Sequence, residues 1–154
     1  EMVLSQVDQY NQIDPKGHLY GAIVASLRDY SENKQKVKYG EYHLAFCAHY
    51  VGDLSMPLHN TLNNAFNERN HKIIEHYAND GVLDNLHEIK TYLIDIRSEK
   101  DLAKEIARIA NLSMKLGYII EAENRLLTKE EAYTQISHSV SLFQAILKYL
   151  GTMD

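Results

Sequence analysis

The sequence predicts an all-α fold, and three observations carry that prediction. Proline occurs only twice, at Pro15 and Pro57, and glycine seven times in 154 residues, so little interrupts helical backbone. Apolar residues recur at three- and four-residue steps along most of the chain, which is the helical period. No run of useful length alternates apolar and polar residues with the β-branched enrichment of a strand.

Each element follows from local signals. In "DPKGHLYGAIVASLRDYSENK", Pro15 marks the turn before a helix over about residues 18 to 32, with Tyr20, Ile23, Val24 and Leu27 on its apolar side. "KYGEYHLAFCAHYVGDLS" predicts a second helix, ended by Gly52 and Pro57. "FNERNHKIIEHYAND" predicts a third, stopped by the turn pair at 80 and 81, and a shorter one is expected around "VLDNLHEIKTYL". Ser98 with Asp101 reads as the cap of a long helix, "EKDLAKEIARIANLSMKLGYIIEAENRLL". Thr128 with Glu131 is a capping-box signature before the last, "EEAYTQISHSVSLFQAILKYL". The least regular stretch is "SMPLHNTLNNA", where three asparagines follow a histidine. Loops on rigid scaffolds are where sites are built.

The length and a 45% hydrophobic content fit one domain over 1–154 with one core. Glu1 ahead of Met2 reads as a boundary, so a native N-terminal segment is expected to be missing. A net charge of −5 leaves no basic field with which to coat nucleic acid. The single cysteine, Cys47, excludes an intramolecular disulfide. No window approaches the roughly 18–20 apolar residues of a membrane span.

The chemistry concentrates in "HYVGDLSMPLH", residues 49 to 59. On a helix, Tyr39, Tyr42, His43, Phe46, His49, Tyr50 and Asp53 share one face, which is expected to be the core face. A histidine and a carboxylate at i and i+4 can reach one point, and a buried carboxylate needs a neutralising partner. The spacing recurs as His71 and Glu75 in "HKIIE", on the flank of a face expected to carry Phe66, Ile74 and Tyr77. With His59 between the pairs, the set holds three histidines and two carboxylates. Imidazole nitrogen with carboxylate oxygen suits zinc, and the open positions suit catalysis better than a closed structural site.

A lone His-x-x-x-Asp is ordinarily a structural couple; two such pairs and a histidine between them shift the balance toward ligands. His43 reads as a satisfied core histidine, and His76, His87 and His138 as surface or packing residues. Cys47, on the other side of its helix from His49, reads as a small core residue. Neither His-Glu-x-x-His nor an adjacent His-Asp pair occurs. The ferritin-like di-iron pattern, which repeats Glu-x-x-His on two helices, is not found.

The ordered pattern resembles the signature of the zinc-dependent phospholipase C and single-strand-specific nuclease superfamily. There a helix supplies His-x-x-x-Asp, a Pro-x-His follows, and a later helix supplies His-x-x-x-Glu. Here these are His49, Asp53, Pro57, His59, His71 and Glu75, with His18 in "KGHLYG" matching a further upstream histidine. The resemblance covers about residues 17 to 77 and becomes generic beyond. It implies an all-α fold and a zinc cluster that hydrolyses phosphate esters, a phospholipid head group or a nucleotide, with a hydroxide held on zinc as nucleophile. By resemblance His18, His49 and Asp53 hold one ion, His59, His71 and Glu75 another, and Asp53 bridges toward a third. It also implies secretion or a periplasmic location.

The chain departs from the pattern at its start. The family's N-terminal tryptophan, the histidine after it and an aspartate further on have no counterparts, leaving Asp14 or Asp29 as substitutes for the aspartate. Two ions are therefore expected, the third site being incomplete. The expected function is a zinc-dependent phosphoesterase. The alternative is a non-catalytic, metal-stabilised helical domain that has lost part of an ancestral trinuclear site.

Overall fold

A computed structural model describes residues 1–7, 18–79 and 82–151. Asp14 and the turn pair at 80 and 81 lie outside them. The described residues hold six α-helices and no strand: α1 (Met2–Val7), α2 (Leu19–Asn33), α3 (Val37–Leu54), α4 (Ala65–Asn79), α5 (Glu99–Ala122) and α6 (Lys129–Tyr149). Two short 3₁₀ turns, Pro57–His59 and Leu83–Glu88, interrupt the connections.

The caps appear where the side chains call for them. Ser98 accepts from the Asp101 backbone N–H at the start of α5, and Thr128 and Glu131 exchange both bonds of a capping box at the start of α6. Helix α5 ends at Ala122, short of the expected stop near 127, because Asn124 turns left-handed at φ 47° and its N–H closes on the Glu121 carbonyl. The helix expected around residues 82 to 93 is only the 3₁₀ turn to Glu88; residues 89–97 run on without helix. That strap is held to the body by Ile94 and Ile96, both buried, and by the Tyr92 N–H on Ser141 Oγ at 3.0 Å.

The main core joins α1, α2, α3, α5 and α6 through side chains such as Val3, Ile23, Leu54, Ile106, Ile109, Leu142 and Ile146. Each buried aliphatic of this size contributes about 1.5–3 kcal/mol. A second, smaller cluster gathers Leu58, Phe66, Ile74, Ile120, Leu127 and Ala132, so it joins the Pro57–His59 turn to α4, the end of α5 and the start of α6. Gly117 permits that junction. A Cβ there would meet the Pro57 carbonyl oxygen at 3.0 Å and the Thr61 methyl closer still, so a side chain on α5 would push the turn away.

The face of α3 expected to be buried turns outward. Tyr42 is 59% exposed, Tyr39 and Phe46 are exposed as well, and the rings of Tyr42 and Phe46 meet edge to face at 4.7 Å. The helix buries Cys47, Val51 and Leu54 instead. A stripe of tyrosine and phenylalanine has the helical period of a core face, but Cys47, Val51 and Leu54 share a competing period on the same helix. The fully apolar set takes the interior.

Candidate metal centre

Helix α4 supplies two of the converging groups. Ile74, fully buried in the smaller cluster, fixes the rotation of the helix, and His71 and Glu75 flank it at the i, i+4 spacing. The third comes from the Pro57–His59 turn, whose Leu58 packs into the same cluster and so presents His59 to α4. His59 Nε2 lies 3.1 Å from Glu75 Oε1, and His71 Nδ1 lies 3.8 Å from Glu75 Oε2. The two imidazoles stack with centroids 4.7 Å apart and an 11° tilt. One ligand atom from each of His59, His71 and Glu75 falls within 4.8 Å of the others, so the group can hold one metal ion.

Asparagines make the turn rigid. Asn60 donates both amide hydrogens, to the Leu54 and Met56 carbonyls at 2.9 Å each, and accepts from the Tyr20 hydroxyl at 2.9 Å. Burial pushes the Tyr20 hydroxyl up in pKa, so it stays protonated and remains a donor. Asn67 donates to the Leu58 carbonyl at 2.7 Å, and Asn64 accepts from the backbone N–H groups of Phe66 and Asn67 to cap α4. These bonds satisfy buried polar backbone that an irregular loop would otherwise leave open.

Asp53 stands at the edge of the group, with Oδ1 3.7 Å from His59 Nδ1 and Oδ2 3.3 Å from His49 Nε2. His49 itself is largely outside: 68% of its side chain is exposed. His18, just before α2, lines a cleft of about 770 Å³ together with Asp53, His59 and His71. Of the six sequence-derived ligands, three converge closely and Asp53 touches the convergence; His49 reaches Asp53 alone, His18 shares only the lining of the cleft, and neither belongs to the converging group. Asp29, a possible substitute for the missing aspartate, is engaged with His43 Nδ1 at 3.7 Å.

Sequence reasoning passed over Glu68. It lines the same cleft as His59 and His71, one helical turn ahead of His71, and the Glu-x-x-His spacing was legible in "ERNH". Lys72 also lines this cleft and is the one lysine among the described residues that does. The other residues behave as packing groups. Cys47 is buried, and burial pushes its thiol up to about 12, which leaves it inert. His138 Nδ1 and the Tyr92 hydroxyl share a hydrogen bond of 2.7 Å, and burial, with the Arg108 charge beside it, holds the imidazole below its usual pKa.

Fold and site together define the class: an all-α protein whose His59, His71 and Glu75 form a candidate site for one metal ion. No protein-family model, curated protein or solved structure matches the chain.

Proposed function

We propose that the protein is a zinc-dependent phosphoesterase. One observation carries the reading: a His/His/Glu group whose two imidazoles, with Asp53 alongside, line a cleft of about 770 Å³. Imidazole and carboxylate are the donor set that zinc takes, and three protein ligands leave a position for water or substrate. A second ion would lie toward Asp53, His49 and His18, more exposed and so held more weakly. Zinc bound at such a site activates water toward neutral pH and polarises the phosphoryl oxygen.

The chain's own side chains divide the remaining work. Lys72 offers a positive charge to a phosphate in the cleft, and Asn63 and Thr61 line the same wall as hydrogen-bonding groups. Glu68 is the carboxylate placed to take the proton from water as it attacks phosphorus. The bond to the leaving oxygen breaks in that displacement, and the departing oxygen is protonated from solvent.

The test is hydrolysis of bis(p-nitrophenyl) phosphate and p-nitrophenyl phosphate by protein loaded with zinc. The reading expects turnover that stops on chelation, returns with zinc, and falls in Glu68→Gln while zinc stays bound. Zinc-loaded protein that hydrolyses neither ester, or turnover undiminished in both His59→Ala and Glu75→Ala, overturns it.

A further inference from the structure

Asp53 faces two clefts. The first holds Lys72 and the imidazoles of His59 and His71; in the second, a separate cleft of about 530 Å³, Asp53 is joined by Glu75 and His49. The second differs in character. Its walls are Met56, Pro57, Leu127, Ala132 and Ile136, and its polar side chains are mostly spoken for: Ser55 and Ser139 bond each other through their hydroxyls, and Ser139 also donates to the Val51 carbonyl.

Gln135 is the exception. The capping box at Thr128 sets the register of α6, so Ala132, Gln135 and Ser139 share the face that lines this cleft. Gln135 is only 7% exposed, yet its Oε1 has no hydrogen-bond partner among the described residues. Buried polar atoms in folded proteins are nearly always paired, and an orphaned amide carbonyl on a residue that lines a cleft marks where a ligand's donor would go.

We infer that this cleft binds a compact apolar group carrying one N–H or O–H donor, with the hydrogen directed to Gln135 Oε1. Because Asp53 and Glu75 form its border with the metal group, a phosphate over that group would extend its leaving-group end into this cleft and keep its anionic end beside Lys72. That placement rests on the phosphoesterase reading; the binding preference does not. Gln135 is then a specificity-determining residue, since a site built to pair with a donor discriminates against the shape that lacks it.

The probes are indole and benzofuran, flat molecules of nearly one shape that differ by a single N–H. The chain has no tryptophan, so indole emission is read against tyrosine alone. In titrations of the full chain, with and without chelator, indole is expected to bind at least about 10-fold more tightly than benzofuran. Gln135→Met should remove the difference and leave benzofuran binding as it was. Should that variant fail to melt cooperatively, the parent decides: indole, unlike benzofuran, is expected to shift the Gln135 side-chain amide resonances. Equal binding of the two, binding of neither, a preference that survives Gln135→Met, or unmoved amide resonances overturns the inference. Indole preference in a protein without hydrolytic activity overturns the phosphoesterase reading alone.

Discussion

Two His-x-x-x-acid pairs with the same spacing meet different fates in this fold. His71 and Glu75 flank Ile74, which anchors α4 in the smaller core cluster, and a separate turn closes on them with His59 3.1 Å from Glu75. His49 and Asp53 stand on the outward face of α3, where His49 is mostly in solvent; His59 comes within 3.7 Å of Asp53, but among the described residues no third ligand lies within 4.8 Å of both members of the pair. Spacing on a helix makes a pair. A site needs a second element, held by its own packing, to bring a third group to that pair.

The comparison breaks most readily at its ligands. Glu75→Ala removes a group that touches both His59 and His71, and is expected to lower metal affinity and any metal-dependent hydrolysis by at least about 100-fold, whereas His49→Ala should cost about 10-fold or less. Equal losses in the two variants, measured by metal titration and initial rates, would make the two pairs equivalent and refute the distinction.

Next in size is the support of the turn. Asn60→Leu leaves the Leu54 and Met56 carbonyls and the Tyr20 hydroxyl without their partner, so a loss of about 2–4 kcal/mol in urea unfolding is expected. Metal affinity should fall with it, because His59 precedes Asn60 on the same turn. A variant as stable as the parent would show that the asparagine does not hold the turn.

Chelation sharpens the same contrast. At a free zinc concentration of about 100 times Kd, bound metal adds about 2.7 kcal/mol. Its removal should then lower the melting temperature by roughly 5–10 °C in a chain of this size. Glu75→Ala should show no such shift, and His49→Ala should keep most of it.

Much of this was legible in the sequence. The caps at Ser98 and Thr128, the helices α2, α3, α4 and α6, and the pair on α4 follow from spacing and side-chain chemistry that act within a few residues. The outward turn of the α3 aromatic face was not legible, because periodicity names two candidate faces and tertiary packing chooses between them. Helix α1 was missed for its length: six residues carry too little period to detect, and Gly21, whose Cβ would collide with the Gln6 backbone, is what lets it pack on α2. Glu68 was within reach as a Glu-x-x-His, yet only the cleft shows which face of α4 it shares with the imidazoles. Residues 89–97 carry the apolar groups of a helix, but Ile94 and Ile96 at a two-residue step are buried from an extended strap.

The smallest expected effect lies away from the ligands, where the capping box begins α6. Hydrogen bonds from Arg125 hold the Glu131 carboxyl down at about 2, from an ordinary 4.5, and the Thr128 backbone N–H adds to this. A depressed carboxylate stabilises the fold above the unfolded value and loses that stabilisation as pH falls from about 4.5 toward 2. After solvent screening the contribution is about 1 kcal/mol. Glu131→Gln should therefore flatten the acid limb of the stability curve by about that amount, read from urea midpoints between neutral and acid pH. An unchanged acid limb would remove the Arg125 pair from the account.

The central claim, that His59, His71 and Glu75 hold a metal ion, is tested most directly by elemental analysis of protein purified without chelator and dialysed against trace zinc. The parent and His49→Ala should each retain about one tightly held ion per chain, as a single structural group of this kind provides, and Glu75→Ala should retain none. A parent without bound metal, or a Glu75→Ala variant that holds as much as the parent, would contradict it.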